Sequence, residues 1–302
     1  MLSAFGHLDM RTIVYCSPLI YAVAVGAALA LLPSWASAAE GVASQRTCAG
    51  LQPGPTRTVT RILDGETVAL DDGTELRLIG ALAPRAVDVA AEPGAWPLEI
   101  AAREALSALV LGKSIELAFA SERMDRYGRL QAHAFLIEAD ARRWVQGDLL
   151  EQGLARAYAL AGNRGCAREL LAAERAAREA NRGLWAEAAY TTRPADRPAE
   201  LLRHRTTFQV VEGRIVRVAQ VRGVIYLNFD RNWRRGFSVS LRRDDARLLL
   251  GDHAGNLKGL EGRSVRVHGW VEQRGAAPGI DLSSAGLFEV VVGADGRADD
   301  AR

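Results

Sequence analysis

Over residues 57–83, apolar and polar positions alternate in short runs divided by acidic, glycine-bearing turns: TRTVTRIL, then DGE, TVAL, DDGT and ELRLIGAL. A period of two broken by such turns predicts a meander of three short β-strands. A loop with three prolines follows (PRAVDVAAEPGAWP). The period then changes in LEIAAREALSALVLG, where apolar residues recur at helical spacing up to Gly112, which predicts an amphipathic helix. KSIELAFAS and QAHAFLIEA read as two more strands around the turn ERMDRYGRL. VQGDLLEQGLARAYAL reads as a helix ending near Gly153 and then a short extended piece, and CARELLAAERAAREANRGLW as an alanine-rich helix stopped by Gly183. Proline and charge mark TTRPADRPAE, residues 191–200, as a linker or a strut. Beyond it FQVVEGRIVRVAQ, GVIYLNF, GFSVSL, SVRVHGWVEQ and GLFEVVV are strand-like, with one helical piece, RRDDARLLL, between the third and fourth. That is the element order of an OB-type barrel. The expected class is α+β, with one domain at 57–187, a linker at 188–204 and an OB-like domain at 205–293. GADGRADDAR reads as a frayed tail, and no tandem repeat is visible.

Composition changes this picture at the N-terminus. The chain has 302 residues, 49% of them hydrophobic, and a net charge of only +2, so polyanion binding must come from local clusters rather than bulk charge. Arg11 precedes an apolar run from Ile13 to Leu32, and Ala36-Ser37-Ala38 offers a small-residue cleavage site. Residues 1–38 thus read as a signal peptide, with Met1 or Met10 as the start, and the protein as exported, periplasmic or secreted. About twenty apolar residues also suffice to span a bilayer, so an uncleaved anchor is the alternative, and no other membrane partner is indicated. Cys16 lies in this leader. Cys48 and Cys166 remain after export, an even number in an oxidising compartment, and are expected to pair.

Five pieces occur in a telling order: ILDGETVAL (62–70), ELRLIGALAPR (75–85), MDRYGRLQAHAFL (124–136), LLEQGLARAY (149–158) and AERAAREANRGLW (173–185). Together they resemble the thermonuclease family, whose best-known member is staphylococcal nuclease, over residues 57–187. The resemblance implies an OB-type five-stranded barrel with three helices, and phosphodiester hydrolysis with calcium. It places a calcium-ligating acid at Glu66, where the family has aspartate. It makes Arg77 the cation that stabilises the phosphoryl transition state. It also puts the second calcium carboxylate at Leu82 and the general base at Arg85, neither of which is an acid. Leucine offers a hard cation no oxygen, and arginine stays protonated and cannot take a proton from water. The third block keeps Asp125, Arg126, Tyr127, Gly128 and Arg129; Arg129 corresponds to the second catalytic arginine and Tyr127 to a tyrosine lining the nucleotide pocket. The same turn also organises a barrel. Asp88, Glu92 and Glu99 in or beside the proline loop are the acids near enough to fill the vacancy.

The C-terminal strands carry YLNFDRNWRRGFSV. Trp233, Arg231, Arg234 and Arg235 sit in a strand connection and form a candidate stacking-and-cation platform for nucleic acid, while Tyr226 and Phe237 read as core. His133 reads as a barrel residue, and His204, His253 and His268 show no metal spacing. The sequence thus indicates an exported protein that binds nucleic acid or another phosphorylated polymer through Arg77, Arg85 and Arg129, with hydrolysis weak or lost. No cofactor is indicated unless the protein hydrolyses, in which case calcium is. Two rivals stay open: an active calcium-dependent nuclease with a substitute acid, and a periplasmic protein-interaction scaffold. The oligomeric state is unknown from sequence.

Overall fold

The alternating stretch folds into β1 (Gln52–Ile62), β2 (Thr67–Leu70) and β3 (Glu75–Leu78), antiparallel neighbours with Val68 opposite both Ile62 and Leu76. The computed structural model describes residues 48, 50–92, 94–138 and 141–291. The expected signal or anchor at 1–38 and the expected tail lie outside the described residues. A two-residue strand, β4 (Ala81–Leu82), follows β3, and α1 (Pro97–Val110) starts with proline, where a missing N–H costs nothing. Next come β5 (Ser114–Phe119), β6 (Leu130–Glu138) and β7 (Ala141–Trp144). β5 pairs with β1 and β6 with β5, and β6 then meets β3 in parallel through Leu76–Leu130 and Leu78–Ala132. This pairing closes a ring of five strands, so the barrel has no free edge.

α2 (Val145–Glu151), β8 (Arg156–Ala157) and α3 (Ala167–Glu179) follow; β8 pairs with β4. α3 ends four residues before Gly183, which instead opens a single 3-10 turn. Cys48 and Cys166 form a disulfide with Cα atoms 4.9 Å apart, across a sequence separation of 118, tying the start of β1 to the start of α3.

The proline-rich stretch is ordered rather than loose. β9 (Arg193–Pro194) pairs in parallel with β10 (Phe208–Arg214), α4 (Pro198–Arg203) lies between them, and the buried Arg193 guanidinium donates to Gln209 at 2.7 Å. Further strands are β11 (Arg217–Val221), β12 (Val224–Asn228) and β13 (Ser238–Arg242), then α5 (Ala246–Leu250), β14 (Ser264–Trp270), β15 (Glu272–Arg274), β16 (Ala277–Asp281) and β17 (Leu287–Val290). They form two mostly-β sheets, β17-β14-β10-β9 and β11-β12-β13-β16-β15, around one apolar core. β16 escapes sequence reading because proline and glycine make APGID look like a loop, yet it pairs in parallel with β13. No helix among the described residues is long and apolar enough to cross a membrane.

One buried residue of the barrel gives a pH-dependent stability. His133, on β6, is fully buried beside Trp144, and neither ring nitrogen has a hydrogen-bond partner among the described residues. Burial pushes its imidazole down to about 3 from an ordinary 6.5. Below pH 6.5 the unfolded chain binds a proton that the folded one refuses, so stability is full above that pH and falls as pH drops. The expected slope is about 1.4 kcal/mol per pH unit, or about 2 kcal/mol between pH 6.5 and about 5. Denaturant unfolding of His133→Leu should show a slope smaller by that amount in the same window; an unchanged slope would assign the titration elsewhere.

Candidate functional site

The turn between β1 and β2 is built by Asp64, whose Oδ1 accepts the Glu66 amide at 2.8 Å, and by Gly65, where a Cβ would lie 2.8 Å from that of Ala83. The turn therefore packs directly on the residues after β4, and Asp64 is spent on shaping it. It delivers the Glu66 side chain, 3% exposed, into the interior. One Glu66 oxygen lies 2.8 Å from the Arg77 guanidinium and the other accepts the Ala83 amide at 2.9 Å. Burial pushes the Glu66 carboxyl up, against the pull of Arg77, Arg85 and the Ala83 amide. Arg77, on β3, also donates to the Tyr158 hydroxyl at 3.3 Å, and Glu66 and Tyr158 outweigh its burial to hold it firmly protonated.

Leu82, at the position of the second metal acid, is 1% exposed and belongs to an apolar cluster with Tyr158 and Phe208, flanked by Leu160 and Trp270. Phe208 and Trp270 come from β10 and β14. Their rings meet edge-on at 4.8 Å, and Tyr158 sits edge-on to both at 6.4 and 6.3 Å. The vacated position has thus become a seam between the barrel and the C-terminal sheets. Arg156, buried beside it, donates to the Phe208 carbonyl at 2.7 Å and to Asp88 at 2.8 Å, and its guanidinium stacks on Tyr190 at 4.7 Å. Burial pushes the Tyr190 phenol up to about 12. On the far side of the seam Gly286 donates to the Ala159 carbonyl at 2.8 Å and Ala161 to that of Ser284 at 3.0 Å. Glu174, buried in the apolar stripe of α3, accepts from the Ala157 amide and pairs with Arg178, which reaches Glu289 of β17.

Two of the three nearby acids are committed elsewhere, while Glu92 is exposed and its side chain has no hydrogen bond or ion pair among the described residues. Asp88 holds Arg156 and accepts from the Tyr190 hydroxyl at 3.3 Å, and Glu99 accepts the Ala86 amide. Arg129 follows the turn at Asp125, whose Oδ2 it meets at 2.7 Å; Asp125 Oδ1 accepts the amides of Tyr127 and Arg129. These bonds overcome burial and hold the Asp125 carboxyl below its usual value. Tyr127 is 68% exposed, between Arg126 and Arg129 at 4.9 and 5.3 Å from its ring centre. The register of β3 on β6 sets Arg77 opposite Gln131, and Arg129 lies two residues earlier, in the turn that leads into β6. Arg77 and Arg129 each have a carboxylate. Arg85 is exposed and carries no ion pair among the described residues.

A family model described as staphylococcal nuclease homologue matches residues 75–187. This part of the chain is a staphylococcal nuclease-like domain. The match begins at β3, and β1 and β2 ahead of it complete the closed barrel. No curated protein matches the chain.

Calcium is the metal that a staphylococcal nuclease-like domain implies, and the residues present do not fit it. Both Glu66 oxygens are taken by protein donors, Leu82 has none to offer, and no group of three or more Asp, Glu, His or Cys side chains able to hold a metal occurs among the described residues. In the C-terminal sheets, Trp233 is 57% exposed and lines a groove with Arg234 and Arg235; Arg231 lies in the same loop outside the lining. Phe237 is core as expected, whereas Tyr226 is only half-buried and faces that groove instead of the interior. Tyr158 and Arg156 went unassigned in the sequence although both lie in LLEQGLARAY; their partner Phe208 lies fifty residues on, where a pattern confined to one domain gives no signal.

Proposed function

We propose that this chain is an exported staphylococcal nuclease-like protein that holds nucleic acid or a related phosphorylated polymer and does not hydrolyse it. The observation that carries this reading is Leu82, an apolar side chain sealed into the seam where a metal carboxylate would be needed. The committed oxygens of Glu66 and the protonated Arg85 agree with it. Hydrolysis requires a base and charge neutralisation at the phosphoryl group; this site supplies cations, and its carboxylates Glu66 and Asp125 are already taken by arginine and backbone amides. Arg85 is the exposed contact for a phosphate, and Arg77 and Arg129, held by Glu66 and Asp125, are the further cations of this reading. The disulfide supports an oxidising compartment.

The test is incubation of the purified protein with single-stranded DNA and RNA, with calcium or with chelator. Retarded bands without cleavage are expected, with binding that weakens as salt rises. Arg85→Glu is expected to weaken binding and flatten the salt dependence by at least about one charge. Cleavage that needs calcium would establish the nuclease reading instead. Binding that is undetectable or indifferent to salt would favour a protein scaffold.

A further inference from the structure

On the outer face of the β11–β12–β13 sheet lies a groove of about 890 Å³, near the upper end for a small-molecule site and roomy enough for several nucleotides. Strand alternation makes it. Val218, Ile225, Leu227, Val239 and Leu241 turn inward to the core, so their neighbours face out. Among these, Ala219 and Ser238 are small and, with Ala277 of β16, keep the floor low, and Tyr226 lies on it. The walls are a rigid loop on one side and a hairpin on the other. In the loop, Asp230 accepts the Asn232 amide at 2.6 Å and the Asn232 carbonyl accepts the amides of Arg235 and Gly236. At Gly236 a Cβ would lie 2.2 Å from that of Asp230, so the loop closes only with glycine there. This turn holds Trp233 out into solvent with the Arg234 guanidinium over its ring at 4.7 Å. On the opposite wall Arg274 is fixed by Ser240 at 2.7 Å and by Glu272.

We infer that this groove binds single-stranded nucleic acid, with bases stacked on Trp233 and Tyr226 and phosphates on Arg217, Arg234, Arg235 and Arg274. The inference deepens the proposed function and rests on its claim that a nucleotide polymer is bound, but it places that binding on a different surface. Charge complementarity argues for this occupant. Four guanidinium groups line the groove, no carboxylate does, and Arg217, Arg234 and Arg235 have no ion pair among the described residues. This concentration of cations stands out in a chain whose net charge is only +2. Two π-faces beside cations suit any base, because stacking needs area rather than hydrogen bonds. A hydroxyl-rich anionic polysaccharide fits less well, since Asn228 and Ser238 are the only uncharged side chains besides Tyr226 and Trp233 that offer it polar atoms.

Fluorescence anisotropy of the whole protein with labelled (dT)12, and with an abasic strand of equal phosphate number, tests this. Trp233→Ala should weaken (dT)12 about tenfold and leave the abasic strand unchanged, with Trp233→Phe retaining most of the affinity. Because Trp233 is exposed, the fold should be unaffected, which circular dichroism checks. Arg234→Glu with Arg235→Glu should weaken both strands. Equal loss for both strands in Trp233→Ala would overturn the stacking role. Binding lost in Arg85→Glu but kept in Trp233→Ala would overturn the groove and leave the barrel reading standing; the reverse would support the groove and overturn the barrel contact. Trp233-dependent binding of a polyuronate with no binding of (dT)12 would overturn the inference in favour of polysaccharide. Absence of any binding would overturn both.

Discussion

Leu82→Asp, alone or combined with Arg85→Glu, is expected to destabilise the protein by about 4 kcal/mol and to produce no calcium-dependent cleavage. The substitution writes back the acid that the family pattern calls for, so a reading by alignment would predict a gain of activity. The structure predicts the opposite. Leu82 is almost wholly buried among Tyr158, Phe208, Leu160 and Trp270, and a carboxylate there loses its water while the neighbouring cation, Arg156, is already committed to Asp88 and the Phe208 carbonyl. The carboxylate then either takes up a proton, which removes it as a metal ligand, or forces the seam apart. For a chain of this size the melting temperature should drop by about 10 °C. Differential scanning fluorimetry and a nuclease assay with calcium or chelator read both parts. An unchanged melting temperature together with calcium-dependent cleavage would show that the seam is open and the site is only one residue from activity.

Reducing the Cys48–Cys166 bond should cost a comparable amount. It bridges a sequence separation of 118, and the entropy that so long a loop removes from the unfolded chain amounts to roughly 4–5 kcal/mol. The bond joins the segment that leads into β1 to the head of α3, the helix that carries Glu174 toward the C-terminal sheets, so its loss frees both from each other. Thermal melts with and without reductant, alongside intact mass to verify the thiol state, check this. A reduced protein that melts at the oxidised temperature would mean that the cross-link constrains nothing.

Much of the barrel was legible in the sequence, and for a physical reason. Its strands are short, alternate cleanly and are separated by acidic-glycine turns, so period and punctuation agree at ILDGETVAL and ELRLIGAL. The lost chemistry at Leu82 and Arg85 was legible too, because side-chain type alone decides whether an atom can ligate or accept a proton. What those positions had become was not. Leu82 looks like a mere deletion of function until Phe208 and Trp270 are seen beside it, and contacts between residues more than a hundred positions apart leave no local period. Asp88 shows the same limit: in sequence it is an acid near a vacancy, in space it belongs to Arg156 and Tyr190. Tyr226 was misread as core because an aromatic in an alternating strand can face either side, and small neighbours such as Ala219 and Ser238 are what hollow the outer face.

The seam also changes what counts as a portable part. In a modular protein each unit buries its own apolar surface, and a cut in the connection between units leaves both halves dry inside. Here a cut after residue 187 would wet Leu82 and Tyr158, orphan the Arg156 donor and strip Glu174 and Arg178 of the Glu289 side of their network. The nuclease-like barrel therefore cannot be lifted out and expected to behave as its relatives do. What could be transplanted, truncated or fused intact is the barrel and its C-terminal sheets as one piece.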